Sequence, residues 1–143
     1  MIAPRARTAI LGVCLLSAAG SLSAATPEID YMLNCMGCHL AEGQGAPDKI
    51  PSLKGYVARF LSVPEGRQYL IQIPGVTQSS LDDAEIAALT NWLLARFDGE
   101  HLPADFAPYT AEEVARYRSK PLTDVAGTRA RLIERLEHAQ SAR

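Results

Sequence analysis

Two thiols and an imidazole stand together in the run Cys35-Met36-Gly37-Cys38-His39. Thiols placed three residues apart on one turn can form thioethers with the two vinyl groups along one edge of a porphyrin. The next residue, His39, is then held beneath the ring and offers a nitrogen to its iron. Gly37 leaves the backbone open to close approach by the ring. The pattern therefore reads as the attachment site of one covalent haem c, with Cys35, Cys38 and His39 as its residues and His39 as an iron ligand. Two other chemistries share part of it. A thioredoxin-like redox pair also uses C-x-x-C, but it needs a strand before the motif and a βαβ unit after it. A zinc site would need a fourth ligand, which His101 or His138 would have to supply.

The elements that must position this motif are helical. Pro27 to Met36 reads as a helix leading into it, with Thr26 as N-cap and Pro27 at the first position. Ile29, Met32 and Leu33 recur at helical spacing and predict its buried face. Gly43, Gly45, Pro47, Pro51 and Gly55 mark a long loop after the motif. Two short helices follow at 56–61 and 65–71, then a second loop from Ile73 to Leu81. The clearest helix is Asp82 to Phe97, with Ile86, Leu89, Leu93 and Phe97 on one stripe and Gly99 at its end. Thr110 caps another short helix and Glu113 completes a capping box. A last helix is predicted over 128–142, where Leu132, Ile133 and Leu136 form a thin stripe suited to docking on the main domain. No strand-like alternation occurs, so the fold class is all-α.

The whole chain has 143 residues, 48% apolar and 21% charged, with a formal charge of −2. That gives no electrostatic reason to expect a nucleic-acid partner. Arg5 and Arg7, an apolar run from Ala9 to Ala19, and the small residues Ser23, Ala24 and Ala25 have the form of a secretory leader over 1–25. The apolar run is too short to span a bilayer, and no later run is longer, so stable membrane insertion is not expected. Cys14 within the run has poor surroundings for a lipoprotein signal. The expected product is exported and soluble, in the periplasm. Without Arg5 and Arg7 it has 12 basic against 16 acidic side chains, formally −4.

With these residues in view, the chain resembles the class I cytochromes c over about residues 27–97. The resemblance covers Cys35 to His39, then Pro51-Ser52-Leu53-Lys54-Gly55, then Leu81-Asp82-Asp83-Ala84-Glu85-Ile86 opening the long helix. It implies a small helical domain around one covalent haem at 26–98, followed here by a helical extension at 99–143. It also implies that the Pro51 carbonyl accepts a hydrogen bond from the His39 ring nitrogen that faces away from the iron. Members usually supply the sixth iron ligand as a methionine in the loop before the last core helix. Here that stretch is Ile73-Pro74-Gly75-Val76-Thr77-Gln78, and no methionine follows Met36.

Three outcomes are open for the iron's far side. His101 could ligate it as a second metal-binding residue, with Lys49, Lys54 and His138 as weaker candidates. Otherwise the iron has no second protein ligand, in a pocket walled by Ile73 and Val76, with Gln78, Tyr56 and Tyr69 nearby. The leading functional expectation is a non-enzymatic, periplasmic carrier of single electrons between redox protein partners such as a dehydrogenase or an oxidase. The alternatives are a haem-based sensor or binder of small ligands, and an accessory haem subunit docking through residues 109–143, which could also make a dimer contact.

Overall fold

The computed structural model describes residues 25–141. The expected leader, Cys14 included, lies outside the described residues except for Ala25. Helices α1 (Pro27–Asn34), α2 (Met36–His39), α3 (Gly66–Gln72), α4 (Pro74–Thr77), α5 (Asp83–Asp98), α6 (Ala111–Arg118) and α7 (Val125–Ser141) are joined by loops and by 3₁₀ turns at Val57–Ser62 and Gly99–His101. Among the described residues the β-type pairing is one isolated bridge, Ala46 with Ile50. The fold is all-α, and no described helix is long and apolar enough to cross a membrane.

Local chemistry explains the helix starts. Thr26 caps α1 by accepting from Ile29 N at 3.4 Å, and Pro27 occupies the first turn. Asp82 caps α5, accepting from Ala84 N and Glu85 N, while the Glu85 carboxylate accepts from Asp82 N at 2.7 Å. Thr110 caps α6, but the expected capping box is not closed. The Glu113 carboxylate instead takes a two-pronged bond from Arg67 on α3, at 2.6 and 2.7 Å. A charge-assisted pair with a guanidinium outcompetes a single backbone N–H.

α1 crosses α5 through an aromatic cluster. Tyr31 lies 5.0 Å from Phe97 and 5.6 Å from Trp92, ring centre to ring centre. The expected buried face of α1 is corrected by this packing. Tyr31 and Asp30 are the buried residues, whereas Ile29, Met32 and Leu33 are 46%, 52% and 77% exposed. The larger core joins the 3₁₀ turn at 57–62, α3 and α5 to Tyr109, Val114, Leu132 and Leu136 of the later segment. The last stripe thus docks on the same core. The second loop is also shorter than expected, because Pro74 starts the one-turn α4 within it.

Candidate functional site

Helix α1 does not run through the motif. Cys35, at φ −123° and ψ −35°, breaks the helix, and α2 then carries Cys38 and His39 on a fresh turn. Both thiols are free, Cys38 exposed and Cys35 half-buried. Burial pushes the Cys35 thiol up, helped by the nearby Asp30 carboxylate and the Cys38 sulfur. The two sulfurs and the His39 imidazole line one cavity.

The His39 Nδ1 donates to the Pro51 carbonyl at 3.2 Å. That bond fixes the tautomer and leaves Nε2 as the nitrogen with a free lone pair. Burial pulls the His39 pKa down, and the Pro51 carbonyl partly opposes it, so the ring is neutral in neutral solution, as a metal ligand must be. Pro51 is placed by a tight loop. Gly45 N donates to His39 O at 3.0 Å and Leu53 N to Gly43 O at 2.7 Å. Gly45 has φ +65°, and a Cβ there would sit 2.3 Å from Ile50 O and 2.8 Å from Pro51 O. Only glycine lets the chain approach itself this closely.

The space beside His39 consists of two adjoining cavities, of about 160 Å³ and about 500 Å³, which share Cys38, His39, Leu53, Leu70, Ile73 and Gly75 among their walls. The surface that lines both is mainly apolar. The larger cavity has a polar end formed by Lys49, Tyr69 and Arg129. Tyr69 is only 6% exposed, and its hydroxyl has no hydrogen-bond partner among the described residues; Arg129 and Lys49 have no acidic partner there either. A large apolar group bearing carboxylates fits this lining. Haem is such a group, with an apolar ring and two propionates, so the donor set and the cavity walls suit the cofactor that the motif implies.

The structure does not bring His101 to this cavity. It closes the 3₁₀ turn at 99–101 and lines a separate pocket with Arg59, Leu102 and Leu136. Both ring nitrogens are engaged: Nδ1 lies 2.5 Å from the buried Asp98 carboxylate, and Nε2 lies 2.9 Å from the Arg59 guanidinium. An imidazole held at both ends has no lone pair to offer an iron elsewhere. Asp98 and Glu100 flank it with two carboxylates, but Arg59 already places a positive charge on its other side. Of the remaining candidates, Lys49 and Tyr69 line the cavity, while Lys54, Tyr56, Gln78 and His138 do not. Met32 is on the exposed face of α1, and Met36 packs beside Tyr31, Leu89 and Phe97.

The wall supplied by α7 was missed in sequence. Val125, Ala126 and Arg129 border the cavity, and Val125, Arg129, Leu132 and Leu136 share one face of α7. Extending the stripe one turn before Leu132 would have found Arg129, since positions four and seven apart stack on one side of a helix.

No family model matches the chain. It is 37% identical over 107 residues to cytochrome c-552 of Thermus thermophilus, a match that takes in 62% of this chain and 82% of that relative. A second cytochrome c-552, from an individual strain of that species, is equally similar over 107 residues, with 72% of its length covered.

Proposed function

This chain belongs to the class I mono-haem cytochromes c, a family of electron-transfer proteins, and on that premise we propose an exported, periplasmic carrier that passes single electrons between redox protein partners. The reading rests above all on one arrangement: Cys35, Cys38 and His39 on the wall of an apolar cavity, with His39 Nδ1 braced by Pro51 O. Bound there, haem c supplies a one-electron Fe(III)/Fe(II) couple.

The chain's own residues do the rest. Cys35 and Cys38 hold the ring edge, and His39 presents Nε2 to the iron because Pro51 fixes its orientation. Leu53, Val57, Leu70 and Leu93 keep water from the cavity, which tunes the couple by lowering the local dielectric. Arg129, Lys49 and the Tyr69 hydroxyl take the acidic substituents. Cys38 is exposed, and α1 leaves Ile29, Met32 and Leu33 exposed, with Leu40 42% exposed just past the motif. An apolar surface beside the ring edge suits the small, transient contacts of redox encounters. Lys54 lies exposed in the following loop and would orient an acidic dehydrogenase or oxidase. Tyr109, Val114, Leu132 and Leu136 are used in the chain's own core, so docking is assigned to the α1 surface rather than to residues 109–143.

The test is production of the full-length precursor in a host that matures c-type cytochromes. The periplasmic fraction should contain a protein starting at Thr26, with haem that survives denaturation and titrates reversibly with one electron. The Cys35→Ser/Cys38→Ser double variant should lose covalent haem. A haem-free product with Cys35 and Cys38 joined as a disulfide would overturn the reading.

A further inference from the structure

An iron held in a porphyrin has two axial positions, and His39 serves one. We propose that this chain leaves the second open, beside Gly75, as a binding position for a small neutral diatomic molecule of the carbon monoxide or nitric oxide class; the proposal rests on the haem reading above. His39 is the single imidazole among the residues lining the two cavities, and no methionine is among them. The two lining thiols are bonded to the ring edge in that reading. Lys49 stands two residues before Pro51, on the loop that braces His39, and together with Arg129 and Tyr69 forms the polar end. His101 is fixed by Asp98 and Arg59 at a separate pocket, and His138 is on the exposed side of α7 beside Glu134.

No other donor can be delivered by the segment carrying Gly75, because residues outside it hold it at several points. Leu122 N donates to Gln72 O at 3.0 Å, just before the segment. The Arg118 guanidinium donates to the carbonyls of Thr77 (3.4 Å), Ser79 and Leu81 (2.8 Å), and pairs with Asp83 at 3.2 Å. Between these anchors α4 presents Gly75 to both cavities. A Cβ added there would meet no atom within 4 Å. The wall at that point lacks a side chain and has room beside it.

The surroundings select the ligand class. Leu70, Ile73, Val76 and Leu93 are apolar neighbours in the smaller cavity. The Tyr31 hydroxyl is spent on Leu40 O at 2.6 Å, and the Asn34 amide gives one N–H to Asp30 O at 2.9 Å, which leaves a single N–H on an exposed residue. Thr90 is the remaining hydroxyl on that wall. An anion or a ligand that builds up negative charge gains little there, whereas a neutral diatomic needs no such help.

The test uses the matured holoprotein, with covalent haem first verified on a denaturing gel. Absence of that haem would sink the haem reading, and this proposal with it. With haem present, dithionite-reduced protein titrated with carbon monoxide should give a 1:1 difference spectrum. An unchanged spectrum at saturating carbon monoxide overturns the proposal, as does carbon monoxide binding that appears only in His101→Ala. Gly75→Met should place a thioether at the position, giving a low-spin ferrous spectrum and weakening carbon monoxide binding by about tenfold or more. Unchanged affinity in that variant would overturn the placement at Gly75.

Discussion

Residues 39–53 and residues 72–83 both border the haem cavity, and they are fixed in different ways. The first segment holds itself: Gly45 N on His39 O, Leu53 N on Gly43 O, Ala46 N on Ile50 O, and finally His39 Nδ1 on Pro51 O. Each of these bonds closes within about a dozen residues, and Arg96 on α5 adds one longer reach to the Glu42 carboxylate at 3.4 Å. The second segment has short turns of its own, such as Thr77 N on Ile73 O and Gln78 N on Pro74 O, and adds bonds from residues 35 to 50 positions later, from Arg118 and from Leu122. Arg67 adds to the same clasp by pairing with Glu113 and stacking over Tyr109 at 4.0 Å. The backbone bonds of the segment that braces the proximal ligand therefore come from within it, although α7 lines the cavity beside Pro51, whereas the Gly75 segment takes hydrogen bonds from the C-terminal extension. One mutation should be able to damage either without the other.

The largest expected effect is on the self-held segment. Gly45→Ala puts a Cβ on a residue at φ +65° and drives it to 2.3 Å from Ile50 O and 2.8 Å from Pro51 O. Strain and overlap together should cost about 2–4 kcal/mol. Because the displaced group includes the carbonyl that orients His39, the reduction potential should move as well. Chemical denaturation and a redox titration check both. An unshifted potential would mean that the Pro51 brace does not depend on this turn.

Arg118→Met is the matched break on the other side. It removes the donor from three carbonyls while keeping an apolar stem, a loss on the order of 2 kcal/mol. Hydrogen exchange should accelerate across residues 77–83 and stay unchanged at Gly45 and Leu53. The potential should move far less than in Gly45→Ala. Equal acceleration in both segments would erase the distinction between them.

The same contrast explains what the sequence made legible. The motif and the capped start of α5 depend on near neighbours, so spacing and residue type reveal them, while the Pro51 partner follows from the family resemblance. Break points and faces were harder. Cys35 ends α1 and the motif takes a second turn, a break that the hydrophobic spacing of the preceding residues does not announce. Ile29, Met32 and Leu33 are exposed because Tyr31 already packs with Trp92 and Phe97 across α5. Glu113 looked like a capping residue until Arg67, 46 positions away, took its carboxylate. His101 was attractive as a ligand on chemistry alone, and only tertiary placement commits it to Asp98 and Arg59. The role of Arg129 was hidden for the same reason: a cation on a thin helix reads as solvated until the cavity beside it is known.

Glu113→Gln tests the clasp through pH. The Arg67 guanidinium holds the Glu113 carboxyl below its usual range. A depressed folded pKa means that the contribution is present above the unfolded pKa and is lost as pH falls through the folded one. At neutral pH the variant should be less stable by about 1–2 kcal/mol, since a neutral amide keeps a hydrogen bond but not the charge-assisted pair. The deficit should shrink on acidification and disappear once Glu113 is protonated in the parent. Unfolding curves at neutral and strongly acidic pH measure it, and a deficit independent of pH would point to packing rather than charge.

The smallest effect has the opposite sign and lies on α1, away from both segments. Asp30 is 4% exposed; burial, then Glu85 and Asp82, raise its carboxyl above the usual range. A raised folded pKa means that this site favours folding fully only below the unfolded value, near 4 for an aspartate. The advantage is lost as pH rises through the folded pKa, so at neutral pH the buried carboxylate opposes the fold. Asp30→Asn carries no charge at any pH and keeps nearly the same shape. The variant should melt slightly higher than the parent at pH 7 and no higher at about pH 3. The helix dipole offers a competing contribution, because an acid in the first turn of α1 is favourable there. It acts in the same pH range with the reverse sign, so the direction of the shift decides between them: a lower melting temperature at pH 7 would show that the dipole outweighs burial beside Glu85 and Asp82.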